Sequence, residues 1–98
     1  MDNNSVHVVG KVKRDAQATD VREGMKIINF TLVVEMDGEK PLYVDCAAMN
    51  EACDSLDGYV ERDEILAVDG WLTHRTYTGA DGRVRTSMVV MAERVMEF

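Results

Sequence analysis

Tyr77 follows Arg75 by two residues, and in an extended strand that spacing turns a flat ring and a guanidinium to the same side. Lys11 and Lys13 share one strand face by the same parity, with Arg14 next to them, and Arg83 and Arg85 repeat the spacing further on. Arg22 and Lys26 add two more cations. The chain has six aromatic residues: Phe30, Tyr43, Tyr59, Trp71, Tyr77 and Phe98. Phe30 reads as core and Tyr59 as packing at the mouth of the fold. Tyr77 at a strand end beside a turn, Trp71 facing opposite to Leu72, and Tyr43 at the start of a strand are read as the rings able to stack, and Phe98 at the chain end is given no role. A ring stacked on an unpaired base contributes about 1–3 kcal/mol, and cations beside it neutralise phosphates. Lys11, Lys13, Arg14, Arg22, Tyr43, Trp71, Arg75, Tyr77, Arg83 and Arg85 are therefore the candidate nucleic-acid-binding residues.

Catalytic chemistry finds no comparable pattern. GxSxG, HExxH and a glycine-rich phosphate cradle are absent from the sequence, and no nucleophile has a neighbouring histidine. Cys46 and Cys53 are seven apart without a CxxC pattern, and His7 and His74 do not complete zinc spacing. Both cysteines read as buried free thiols of a reducing, cytoplasmic setting. The chain is accordingly read as a binding module with no catalytic residue, metal or cofactor.

Charge opposes the binding reading in total. Eighteen acids against eleven bases give a net charge of −7. The distribution is more favourable. Glu51, Asp54, Asp57, Glu61, Asp63 and Glu64 gather around one segment, which predicts an acidic back and a neutral-to-basic front.

These residues need strands to hold them. Alternation of apolar and polar residues predicts strands over Val6–Lys13, Lys26–Glu35, Leu42–Met49, Ile65–Tyr77 and Val84–Val95. Gly10 and Gly70 interrupt two of them, where a barrel strand bends or bulges. Asp37-Gly38 and Gly79 to Gly82 read as turns, and Asp15 to Gly24 as a loop. Asn50 suits a helix N-cap, and Ala52, Leu56, Tyr59 and Val60 recur at helical spacing, so a short helix is expected over roughly 51–59. Three strands, a helix and two strands make an all-β chain: a five-stranded OB-fold Greek-key barrel with one short helix between strands 3 and 4. The 98 residues fit one such domain, 1–98. No apolar run approaches membrane-spanning length, and Met1-Asp2-Asn3-Asn4 has no signal-peptide character.

In this order the residues resemble the bacterial single-stranded DNA-binding protein family. The matching pieces are Asn4-x-Val6-x-Val8-Val9-Gly10-Lys11-Val12 with Asp15; Gly24 with Asn29-Phe30-Thr31-Leu32; Val44-Asp45-Cys46; Val68-Asp69-Gly70-x-Leu72-Thr73-x-Arg75-x-Tyr77; Asp81-Gly82; and Thr86 with Ala92-Glu93-Arg94-Val95. Primosomal replication protein N is similar around Ser87 to Val95. Thr19 and Asp20 stand where the first family usually has arginine and tyrosine, and Met49 where an aromatic is common.

The resemblance implies sequence-tolerant single-stranded DNA binding in replication, recombination or repair. It also implies a homodimer or homotetramer through the first strand, with His7 and Val9 at the interface. The competing reading is an OB module for protein interaction in a replication or restart complex, with weak or lost DNA binding.

Overall fold

Alternation at period two organises the chain into strands that close on themselves. The computed structural model describes residues 3–98. The reading made on Met1 and Asp2 lies outside them. The elements are β1 (Val6–Val12), β2 (Ala16–Gln17), β3 (Thr19–Arg22), β4 (Met25–Val34), β5 (Leu42–Met49), α1 (Asn50–Asp54), β6 (Tyr59–Val60), β7 (Ile65–Thr78) and β8 (Val84–Glu97). The main sheet runs β1-β7-β8-β5-β4-β3, and β1 also pairs with β4 through Lys11↔Val33 and Val12↔Leu32, which closes the barrel. Every pairing in it is antiparallel except β5 with β8. This is the OB-fold barrel, its five long strands β1, β4, β5, β7 and β8 falling within two residues of their predicted bounds at every end.

The inward residues are those the alternation selects. Ile28, Phe30 and Leu32 of β4 meet Val12, Cys46, Ala48, Leu66, Val68, Val90 and Val95 in one buried cluster. Burying each large aliphatic or aromatic side chain contributes about 1.5–3 kcal/mol. Cys46 and Cys53 are both buried as free thiols. No helix among the described residues is long and apolar enough to cross a membrane.

The two mid-strand glycines are places where another backbone passes. At Gly70 a β-carbon would sit 1.9 Å from the Met91 carbonyl oxygen. There β7 and β8 shift register, with Asp69 opposite Arg94 and Gly70 opposite Ala92, so that Glu93 is the extra residue of a bulge. At Gly10 a β-carbon would lie 2.7 Å from the Val33 carbonyl oxygen, where β1 leaves β7 for β4.

Three local expectations are corrected. The helix is one turn, ending at Asp54 rather than near Tyr59. Asn50 is not its N-cap: it adopts φ 51° within the first turn, and Met49 takes the cap position without a side-chain hydrogen bond. Leu56 and Val60 are buried as the spacing implied, but Val60 belongs to β6, and Tyr59 is exposed. The supposed loop between Asp15 and Gly24 carries β2, paired with β6, and β3, paired with β4.

Candidate nucleic-acid interface

Strand register decides which candidates share a surface. Directly opposed residues of a ladder project to the same side. On the outer side, Trp71 opposes Met91, Met91 opposes Ala47, and Ala47 opposes Asn29, a row crossing β7, β8, β5 and β4. Two residues along β4 and β5, Thr31 opposes Asp45, and beyond them Val33 opposes Tyr43 and Lys11. Along the β7–β8 hairpin the same side carries Arg75 with Ser87 and Tyr77 with Arg85. Tyr43, Trp71 and Tyr77 are 56%, 41% and 49% exposed, so all three rings are open to a ligand.

The surface is concave. Arg75 Nη1 donates to Asn29 Oδ1 at 3.3 Å, although β8 and β5 lie between their strands. On a flat sheet the two would stand about 14 Å apart across the strands and about 13 Å along them. The hairpin arm therefore leans over the outer side of β5 and β4. Ala47 and Val89, on this outer side, are buried although neither belongs to the interior cluster. Arg14, Asn29, Thr31, Asp45 and Arg75 line a cleft of about 290 Å³ at this place.

At the near end of the groove Lys13 Nζ lies 4.6 Å from the centre of the Tyr43 ring, a cation–π contact. At the far end the hairpin turn ties up its cations. Asp81 Oδ2 accepts from Arg85 Nη2 at 2.7 Å and lies 4.0 Å from Arg83 Nε, while Asp81 Oδ1 accepts the Arg83 backbone N–H at 3.0 Å. Lys11, Lys13, Arg14, Tyr43, Trp71, Arg75, Tyr77 and Arg85 are thus brought to one continuous side, with Arg83 at its tip. Arg22 is not. It lines a different hollow with Glu23, Glu51 and Asp54, beside α1.

The expected charge segregation is incomplete. Glu51 and Asp54 line a separate hollow beside α1, but Asp15 and Asp45 line the cleft itself. Asp15 Oδ1 accepts the Arg62 backbone N–H at 2.7 Å, and Asp45 Oδ1 accepts from Thr31 Oγ1 at 2.8 Å. The sequence reading passed over Asn29, Thr31 and Asp45 as site residues. Their outward parity was readable, but their meeting with Arg75 depends on the lean of the arm.

On the opposite flank, His7 Nδ1 hydrogen-bonds Asp69 Oδ1, and Arg94 Nη2 donates to Asp69 Oδ2 at 3.1 Å. These two hydrogen bonds hold the Asp69 carboxyl below its usual range. Beside them, Val9 opposes Ala67 and Ala67 opposes Met96 in an outward apolar row, with Val9 and Met96 partly exposed. Val6 to Gly10 pair with β7 on one side only, which leaves the other edge of β1 without a strand among the described residues.

Comparison with known proteins places this architecture. The single-strand binding protein family matches over residues 3–98. The single-stranded DNA-binding protein of Halalkalibacterium halodurans is 29% identical over 98 residues, which cover 94% of this chain and 58% of that protein. That of Bacillus cereus is 28% identical over 98 residues, covering 94% and 58%. Single-stranded DNA-binding protein 1 of Staphylococcus aureus is 27% identical over 86 residues, covering 82% and 52%. The chain thus spans a little over half the length of these relatives.

Proposed function

This chain belongs to the single-strand binding protein family, and from that premise we propose that it binds single-stranded DNA without requiring a fixed sequence, in replication, recombination or repair. The carrying observation is the concave outer side of the barrel, where three open rings alternate with cations. Tyr43, Trp71 and Tyr77 stack on bases, while Lys11, Lys13, Arg14, Arg75 and Arg85 follow the phosphates. Arg83 joins them from the hairpin tip, and Arg22 makes no contact. The unpaired edge of β1 and the Val9–Ala67–Met96 row take a second copy of the chain, with His7 at the margin, to give a homodimer or a homotetramer.

The net charge of −7 and the two carboxylates in the cleft favour a second reading, a protein-interaction module with little affinity for DNA. Fluorescence anisotropy of labelled dT oligomers separates the two. Neutralising about four phosphates of a single strand makes binding about fiftyfold weaker at 200 mM salt than at 50 mM. Absence of binding at low salt would remove the first reading and leave the second.

A further inference from the structure

Asp45 is out of place on a surface that must attract phosphate. Its carboxylate opens into the cleft between Arg14 and Arg75, and no cationic side chain among the described residues pairs with it. Thr31 Oγ1 donates to Oδ1 and fixes the group's orientation, and the remaining acceptor positions stay open. A carboxylate so placed repels a phosphate. It also accepts hydrogen bonds from donors on the edge of a base, which in a single strand is free to be read.

Bases differ in what they offer such a group. Guanine presents its ring N1–H and its exocyclic amine side by side, matching two carboxylate oxygens. Adenine and cytosine present an amine next to an acceptor nitrogen. Thymine presents one N–H flanked by two carbonyl oxygens. We propose that Asp45 reads the Watson–Crick edge of one guanine in this cleft, so that an otherwise sequence-tolerant surface favours guanine at one position. The backbone then follows the arginine rim and turns that base inward. This inference rests on the single-strand reading above.

The test uses the full chain and three labelled oligomers at low salt: a dT tract, the same tract with regularly spaced dG, and the same with inosine, which lacks the exocyclic amine. The unaltered protein should bind the dG oligomer about fivefold or more tighter than the other two. Asp45→Ala should bind the dT tract more tightly than the unaltered protein does, and should lose the difference between guanine and inosine. Asp45→Asn, which keeps the shape and removes the charge, should lose most of that difference. Equal affinity of the unaltered protein for all three oligomers overturns the assignment, as does a guanine preference that survives in Asp45→Ala. Failure of every oligomer to bind removes the parent reading as well, a distinct result.

Discussion

Lys13 covers one face of the Tyr43 ring, its ammonium 4.6 Å from the ring centre. The ring remains about half exposed, and in the proposed interface the ammonium stands beside it as a partner for a phosphate. If Tyr43 stacks on a base as proposed, this contact restricts the ring beforehand and should lower the ordering cost of binding.

Removing the rings should weaken binding without unfolding the barrel. Tyr43→Ala and Tyr77→Ala are each expected to lose about 1–3 kcal/mol of affinity for dT oligomers by anisotropy. Both residues are about half exposed, so thermal unfolding should change little. Unchanged affinity in both variants would place the bases elsewhere.

Asp81 limits the hairpin's contribution, because it neutralises Arg85 and lies near Arg83. Asp81→Asn keeps an acceptor for the Arg83 backbone N–H but frees the guanidinium of Arg85. Binding should tighten at low salt, and the slope of log K against log salt should steepen by about 0.7 for one more neutralised phosphate. The salt titration checks it, and an unchanged slope would mean that the arm does not touch the strand.

Gly70 should be the least replaceable glycine. A β-carbon there falls 1.9 Å from the Met91 carbonyl oxygen, whereas at Gly10 it falls 2.7 Å from that of Val33. Gly70→Ala must shift backbone, at about 1–3 kcal/mol or more, and should lower the unfolding temperature further than Gly10→Ala does. The reverse order would argue against the bulge at Glu93.

Burial, with a smaller contribution from the neighbouring Asp45 carboxylate, pushes the Cys46 thiol from 9.0 up to about 12. The unfolded thiol loses its proton above pH 9, while the native one keeps it until about 12. Stability should therefore fall as pH rises through that interval. Cys46→Ala, though less stable overall from the lost packing, should show a shallower decline when denaturant midpoints are compared at about pH 8 and about pH 10. An equal decline in both proteins would discount the thiol.

The long strands were legible because each carries enough alternating positions to fix a face, and because Gly10 and Gly70 mark places where another backbone passes close by. The helix was overdrawn for a physical reason. Ala52, Leu56 and Val60 do point inward, but one turn of helix followed by turns and a two-residue strand delivers the same spacing. β2, β3 and β6, of two to four residues, are too short to show a period. The candidate face was legible as parity along each strand. Its depth was not, because the contact between Arg75 and Asn29 arises from curvature of the sheet. The place of Asp45 among the cations was hidden for the same reason.

The parallel ladder between β5 and β8 also has a consequence in time. It joins Cys46, Ala47 and Ala48 to Val90, Met91 and Ala92, more than forty positions apart in the chain. Until the eighth strand is available, the preceding seven can pair into an open sheet but enclose no interior. Assembly must then wait on closing large loops, so the barrel belongs with chains that fold in milliseconds to seconds rather than microseconds. A nascent chain halted before Val90 should expose its half-built sheet to chaperones.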